Sequence, residues 1–255
     1  MKINDICLFW ITFFGITFPG FFASESVSLP GHLIDGDIMI EEDYDPWDRS
    51  YGPLVDMRLK RWPERIIPFD INETVYSIWD LHVIHESLKE IEKWTCVKFQ
   101  KRRNEKDYIY ISPLGGCWSY VGRKGSEQVL SLVVPQCINK GTIIHEFLHA
   151  LGLWHEHSRS DRDDYIEILW GNVMNEEKQA NFAKHFPEAL NFQNFPYDYQ
   201  SVMHYDAYAF SKSPKIPTMK PKQLNVRLRD LGRAKAIGTL TEIDKRKINS
   251  LYECK

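Results

Sequence analysis

A histidine-rich run at residues 145–159, HEFLHALGLWHEHSR, constrains the fold of this chain more than any other segment. It holds four of the nine histidines in a chain of 255 residues. On a helix, His145 and His149 leave the same face one turn apart. Gly152 tolerates the left-handed conformation that ends a helix, so the chain can turn there and bring His155 back toward the first two imidazoles. The run therefore predicts a helix end and a sharp turn around one point where three imidazoles meet.

Three imidazoles with a fourth position open for water describe a catalytic zinc site, since structural zinc sites are closed by four protein ligands. Zinc lowers the pKa of bound water to about 7, and Glu146 is next to the first ligand, where it can accept the proton. The short pattern H-E-x-x-H is only a hypothesis by itself. The extended spacing, with Gly152 and His155 at fixed offsets, marks the metzincin pattern. The alternative, a polar helix face with ordinary histidines, does not account for that spacing.

A methionine downstream completes the metzincin pattern. Residues 201–205, SVMHY, supply the expected methionine turn. We expect Met203 to form an apolar floor beneath the metal, although core packing is the usual role of a single methionine. His204 has no ligand position left to fill and is interpreted as structural.

The N-terminus has the layout of a secretory signal peptide at residues 1–23. One lysine precedes an apolar run over residues 6–22, and small residues follow at Ala23 and Ser24. The alternative is an uncleaved anchor, which would make a membrane-tethered processing enzyme. The run is shorter than the roughly 20 apolar residues that a spanning helix needs. The sequence therefore predicts a secreted, extracellular protein with no membrane partner.

Composition divides the rest of the chain into two parts. Residues 24 to about 49 are acidic and lack periodic pattern, which indicates a leader or propeptide outside the core, and the globular pattern begins with the strand at residues 65–71. The formal net charge of −3 argues against nucleic acid or an anionic membrane surface as a partner.

The cysteines indicate disulfides. Cys7 would leave with the signal peptide, and four others remain, an even number in an extracellular context, which predicts two disulfides with three possible pairings. No cysteine is then left to join two chains, so a monomer is expected. Asn72 begins the sequon Asn-Glu-Thr and is a predicted glycosylation site.

Periodicity predicts an α+β fold. Apolar residues recur every three or four positions over residues 76–95, which indicates an amphipathic helix. Thr142 and Thr241 are predicted N-caps of two further helices, and Gly152 the end of the first of these. Strands are predicted by alternation at residues 65–71, 96–100, 107–112, 119–123 and 128–134. Strands and helices come mixed without strict alternation, which favours the α+β class.

The residues quoted so far resemble one family, the astacins, which are secreted zinc endopeptidases. Residues 145–165, HEFLHALGLWHEHSRSDRDDY, followed by SVMHY, are similar to the astacin signature along its whole length. Supporting segments are GCWSYVG at 116–122, TCVKF at 95–99 and INSLYEC at 248–254. The resemblance spans about residues 62–254.

The resemblance implies roles for the site residues. One zinc ion would be bound by His145, His149 and His155. Glu146 would be the general base and later the acid, and Tyr205 a displaceable metal ligand that hydrogen-bonds the tetrahedral oxyanion. The fold would be a two-lobed metzincin domain, with a twisted N-terminal sheet, a long active-site helix at the floor of the cleft and a less regular C-terminal lobe.

The resemblance also implies how substrates and the chain termini are held. The segment 119–121 would offer an edge strand to which an extended protein or peptide substrate adds. Glu156 would hold the mature amino terminus. Disulfides would join Cys96 to Cys254 and Cys117 to Cys137.

Astacin propeptides block the zinc through an aspartate in an F-x-G-D stretch, so the chain would be made as a latent zymogen. The matching residues are IDGDI at 34–38, with Asp37 as the inhibitor and Ile34 in place of the usual aromatic. An ordinary acidic turn is the alternative for this stretch. Alignment with the family through Trp62 implies that a trypsin-like protease cuts after Arg49, which would make residues 24–49 the propeptide and residues 50–255 the catalytic domain. The basic run RLKR at 58–61 is a competing cleavage site.

The competing function is a homologue that binds peptides or zinc without hydrolysis. Such a homologue would be expected to lack part of the catalytic set. This sequence retains Glu146, the three histidine ligands, Met203 and Tyr205. The complete set favours an enzyme.

Overall fold

The structure, a computed structural model, describes residues 29–41, 57–184 and 194–255. The predicted signal peptide, the bond after Arg49 and part of the predicted propeptide lie outside the described residues. Among the residues it does describe, no helix combines the length and apolarity needed to cross a membrane.

A five-stranded sheet forms the N-terminal part of the molecule, in the order β4-β3-β5-β7-β6. The first four strands pair in parallel, and β6 runs antiparallel at the edge beside β7. Because parallel neighbours need a crossover connection, a long helix, α1, follows β3 before the chain returns as β4. The strands are β3 (Ile66–Ile71), β4 (Lys98–Lys101), β5 (Tyr108–Ser112), β6 (Cys117–Trp118) and β7 (Glu127–Leu132).

Helix α1 (Ile78–Trp94) is the amphipathic helix that periodicity predicts. It begins at Ser77, whose side chain accepts the amide of Asp80 while the Asp80 carboxylate accepts the amide of Ser77, a capping box. Its buried face, which includes Ile84 and Ile91, packs into the main core beneath the sheet.

Helix α2 (Lys140–Leu151) carries the first two histidines of the cluster. Its N-cap is Asn139, whose side chain accepts the amide of Thr142 at 2.9 Å, so the predicted cap at Thr142 is wrong by three residues. Asparagine is at least as good a cap as threonine, and the helix therefore begins earlier. It ends as predicted at Gly152, with φ of 111°.

The strand predicted at residues 119–123 is also wrong. Strand β6 ends at Trp118, and beyond it Ser119 makes a single bridge. Gly122 then has φ of 74°, which ends the extended conformation, and its amide donates to the carbonyl of His149 at 2.8 Å. The segment therefore leaves the sheet edge and hydrogen-bonds to the C-terminal turn of α2.

The C-terminal part is less regular and has a second apolar core around Ile166, Phe182 and Met219. Its last helix, α5 (Glu242–Leu251), has Thr241 as its N-cap, as predicted, and packs back into the main core. The elements are β8 (Ile166–Ile168), α3 (Glu176–Gln179), β9 (Met219–Pro221), α4 (Arg233–Ile237) and α5 (Glu242–Leu251). The predicted α+β class is confirmed.

Two disulfides hold the described parts together. Cys96 bonds to Cys254, closing a separation of 158 residues, and Cys117 bonds to Cys137 over 20 residues. The first ties the end of the chain to the segment between α1 and β4. By the loop-entropy argument, links of these lengths disfavour the unfolded chain by about 3 to 5 kcal/mol each.

Upstream of the sheet, the leader forms a hairpin from β1 (His32–Ile34) and β2 (Ile38–Ile40). Asp35 and Gly36 make the turn, with φ of 48° and 78°. The whole of β2 is buried, so this part of the acidic leader is packed against the rest of the molecule.

Candidate metal centre and active site

Three imidazole nitrogens meet at one point. The Nε2 atoms of His145, His149 and His155 lie 3.2 Å from one another in all three pairs. Ligand atoms bound tetrahedrally to zinc at 2.0–2.1 Å lie about 3.3–3.4 Å apart. All three side chains are fully buried. The donor set therefore fits a zinc ion in chemistry, number and spacing.

Backbone carbonyls fix the orientation of two of these rings. The Nδ1 atom of His145 lies 2.7 Å from the carbonyl of Val202, and Nδ1 of His149 lies 2.7 Å from that of Leu153. A proton held on Nδ1 by a carbonyl leaves the Nε2 lone pair free for a metal. Burial lowers the pKa of both histidines, which keeps the rings neutral, the form that binds metal.

The local fold explains why the ligands converge. Ile144 and Leu148 are fully buried in the main core, which fixes the helix face beside the histidines. After Gly152 the chain reverses, and the amide of Leu153 donates to the carbonyl of Leu148 at 2.9 Å. His155 is thereby returned to the end of the helix that it follows.

Asp37 of the leader occupies the fourth side of this cluster. Its carboxylate lies 3.1 Å from Nε2 of His145, 3.0 Å from that of His155 and 3.7 Å from that of His149. Burial opposes ionisation of this carboxyl, but the charge of His155 holds its pKa well below its usual range. The four residues form a set that could hold one metal ion.

Glu146 is buried beside the ligands, and neither carboxyl oxygen has a hydrogen-bond partner in the described structure. Burial raises its pKa well above its usual range, and the nearby charge of Asp37 raises it further. Leaving a buried carboxyl unpaired is costly, and such groups concentrate at functional sites.

Tyr205 contacts both the ligand cluster and the leader. Its ring lies 4.8 Å from that of His155, between ring centroids, and its hydroxyl donates to the backbone carbonyl of Asp35. The side chain is almost wholly buried. The phenol hydroxyl is therefore engaged by the hairpin at residues 32–40.

Met203 lies in the turn that packs against the cluster and is 1% exposed. Its carbonyl accepts the amide of Glu156 at 2.9 Å, and its amide donates to Ser201 Oγ at 3.0 Å. Asp244 holds the same turn from α5, through Ser201 Oγ at 2.5 Å and the amide of Val202 at 3.0 Å. Sequence reasoning missed Asp244, for which the only signal was its place three residues after the predicted cap.

Glu156 is 2% exposed and fully engaged. Its Oε1 accepts from Arg159 at 2.9 Å and from the amide of Asp198 at 3.0 Å, and its Oε2 accepts from Lys247. Burial opposes ionisation, but the charges of Lys247 and Arg159 lower its pKa. Neither cation was identified from the sequence.

The leader also pairs with the sheet edge that was predicted to bind substrate. The amide of Ser119 donates to the carbonyl of Asp37 at 3.0 Å, and the amide of Met39 donates to the carbonyl of Ser119 at 2.9 Å. This makes a parallel bridge between Ile38 and Ser119. The predicted sequon residue, Asn72, lies apart from this region and just after the end of β3, where Thr74 Oγ1 donates to its Oδ1 at 2.6 Å.

Comparison with known proteins decides the family. A sequence model of the peptidase family Astacin matches residues 55–253. The chain belongs to the astacin family. The zinc metalloproteinase nas-4 of Caenorhabditis elegans is 38% identical over 232 residues, which cover 88% of this chain and 70% of nas-4. The zinc metalloproteinase nas-14 of the same organism is 40% identical over 204 residues, 79% of this chain and 39% of its own length.

The astacin assignment agrees with solved structures. High choriolytic enzyme 1, a hatching enzyme zinc-protease from the medaka Oryzias latipes, is 34% identical and superposes with a TM-score of 0.69, covering 83% of this chain and 99% of its own. The chain is an astacin-family zinc metalloproteinase, and zinc is its cofactor.

Proposed function

We propose that this astacin is a secreted endopeptidase, made as a latent zymogen, that cleaves peptide bonds in extended protein substrates. The observation that carries the proposal is the triangle of three buried Nε2 atoms with the Asp37 carboxylate on its fourth side. A mature enzyme would have the same triangle with Asp37 withdrawn.

A zinc ion bound there would polarise the scissile carbonyl and acidify a water molecule. Glu146 would accept the proton from that water and pass it to the leaving amine. Its buried, unpaired carboxyl suits that exchange, because no other partner competes for the proton. Tyr205 would donate its hydroxyl to the oxyanion that forms at the scissile carbonyl.

Latency would follow from three contacts that five consecutive leader residues make. Asp37 faces the three ligands, the carbonyl of Asp35 engages the Tyr205 hydroxyl, and Met39 pairs with Ser119 at the sheet edge. The leader would therefore occupy the ligand cluster, the Tyr205 hydroxyl and the sheet edge at Ser119. A substrate could enter only after the leader leaves.

We further propose that residues 1–23 are a cleaved signal peptide, that 24–49 are the propeptide and that 50–255 are the catalytic domain. A trypsin-like protease would cut after Arg49, and Ser50 would carry the new amino terminus to Glu156. A cut after Arg61 would make Trp62 the terminal residue. Trp62 is 2% exposed and donates its Nε1 to the carbonyl of Ala150 at 2.8 Å, and this burial argues against that cut. The mature enzyme would be an extracellular monomer, glycosylated at Asn72.

The test is cleavage of a mixed peptide library by trypsin-activated protein, beside Glu146→Ala and with a zinc chelator. We expect activity to disappear with the chelator and in the variant, while zinc content measured by mass spectrometry is unchanged in the variant. An activated protein that binds one zinc ion and cleaves nothing would instead be a binding-only homologue.

A further inference from the structure

His157, which the catalytic scheme leaves without a role, lies directly against Tyr205. The two rings stack with centroids 3.8 Å apart and planes 25° apart. The other described rings near Tyr205 lie farther from it, at 4.8 Å for His155, 5.6 Å for Phe210 and 6.0 Å for Phe182. His157 is thus the flat surface on which the phenol rests.

The position of His157 is itself fixed by its neighbours. Its Nε2 lies 3.1 Å from the carbonyl of Asn181, and its own carbonyl accepts from Arg162 at 3.1 Å. The same Arg162 nitrogen donates to the carbonyl of Phe182 at 2.7 Å. The imidazole is therefore held between the turn that carries it (Glu156–Ser158) and the segment at 180–182.

Among the described residues, one nitrogen of this ring has partners and the other does not: besides the carbonyl of Asn181, Nε2 lies 3.3 Å from Ser158 Oγ. His157 is fully buried, and its Nδ1 has no hydrogen-bond partner in the described structure. Burying an unsatisfied nitrogen is unfavourable, and an apolar ring would avoid it. Hydrogen bonding therefore explains a histidine at this position poorly, whereas the face of its ring packs directly against Tyr205.

The direction of the Tyr205 hydroxyl depends on that face. A phenol turns about two side-chain torsions, and a small tilt of the ring moves its hydroxyl by a large part of a hydrogen-bond length. In the latent chain the hydroxyl donates to Asp35, and in the activated enzyme it would donate to the oxyanion of the substrate. If the Tyr205 ring stays stacked on His157 during this exchange, its hydroxyl needs only a small movement to pass from Asp35 to the oxyanion.

We propose that His157 is a positioning residue that aims the Tyr205 hydroxyl, and that it acts through its ring face and not through its hydrogen bond to Asn181. The proposal rests on the proposed function, in which Tyr205 stabilises the oxyanion.

Two substitutions separate the ring from the hydrogen bond. His157→Phe keeps a flat ring and loses the contact with Asn181, whereas His157→Gln keeps a donor and loses the ring. In trypsin-activated enzyme we expect H157Q to lower kcat about tenfold with little change in KM, and H157F to retain most of kcat. In a Tyr205→Phe background H157Q should cause no further loss, because the hydroxyl it aims is already absent.

A second measurement reads the position of the phenol without catalysis. The full-length precursor is labelled with 3-fluorotyrosine, and the ¹⁹F resonance of Tyr205 is assigned as the one lost in Y205F. We expect H157Q to shift this resonance, and H157F to move it less, with thermal unfolding recorded for each variant.

The outcomes distinguish the two proposals. If H157Q lowers kcat equally in both backgrounds, or leaves the Tyr205 resonance in place, His157 is structural and the inference is overturned. If H157F behaves like H157Q, the hydrogen bond and not the ring is responsible, and the inference is again overturned. A wild-type enzyme that cleaves no peptide overturns the proposed function, whatever the resonance does.

Discussion

Glu156 and Lys247, 91 positions apart in the chain, form an ion pair in which the side chains are 2% and 5% exposed. Removing one partner of a buried pair costs about 3–5 kcal/mol when the other charge is left without any partner. Glu156 would keep its contacts with Arg159 and the amide of Asp198, so we expect Lys247→Met to lower the free energy of unfolding by less, about 1.5–3 kcal/mol, measured by urea titration.

Lys89→Met is the matched control, because Lys89 pairs with Glu86 on the surface, where the side chains are 69% and 45% exposed. Its effect should be much smaller, because an exposed ion pair contributes little to stability. Equal losses of unfolding free energy in the two variants would mean that the buried pair contributes no more to stability than a surface pair.

Asp37 is the residue whose removal should free the ligand cluster. We expect the uncleaved Asp37→Ala precursor to hydrolyse peptides, because the leader would lose its carboxylate contacts with the three Nε2 atoms and leave the site more often. The measurement is peptide cleavage by precursor that is shown to be intact by mass spectrometry. Glu41→Gln, on the same leader but paired with Lys124 at 2.7 Å, should stay latent. A fully latent D37A precursor would mean that Asp37 is not the switch.

Zinc removal should affect stability as well as activity, because a ligand that binds only the folded state stabilises it. We expect a chelator to lower the melting temperature of the wild-type precursor and to have little effect on His149→Ala. His82→Ala, an exposed histidine on α1, should respond to the chelator as the wild type does. An unchanged wild-type melting temperature would argue that the three imidazoles hold no metal.

Asp198 should make stability depend on pH. Burial, with the charge of Asp244, raises its pKa from 3.8 to about 6. A raised carboxyl pKa favours the protonated form in the folded state, so its stabilisation is present below about pH 4 and is lost as pH rises through 6. Relative to wild type, Asp198→Asn should gain up to about 3 kcal/mol of stability between pH 4 and pH 7. Urea titrations at the two values check this, and a pH-independent difference would contradict it.

The ligand cluster was predictable because its geometry is local. His145 and His149 share a helix face by spacing alone, and Gly152, with φ of 111°, makes the turn that returns His155. The helix start was harder, because Asn139 and Thr142 both offer a capping oxygen and asparagine caps a helix at least as well as threonine.

The supporting contacts were not predictable, because they join distant parts of the chain. Lys247 reaches Glu156 only once α5 packs into the main core, and the stack of His157 on Tyr205 needs two separate turns to meet. Sequence spacing carries no information about such meetings, which depend on the topology of the whole domain.

Gly36 gives a graded test of how tightly the leader fits. A Cβ atom there would lie 2.7 Å from Phe210 Cζ, and its φ of 78° is unfavourable for other residues. We expect Gly36→Ala to weaken leader docking by about 1–2 kcal/mol, which raises the population of the open precursor about five- to thirty-fold. Basal cleavage by the intact precursor measures this directly. Gly115→Ala is the matched control. Its φ of 88° is also unfavourable for alanine, but the residue lies outside the leader and no atom lies within 4 Å of the added Cβ. It should therefore leave basal cleavage unchanged, and an equal rise in both variants would point to general loosening of the fold.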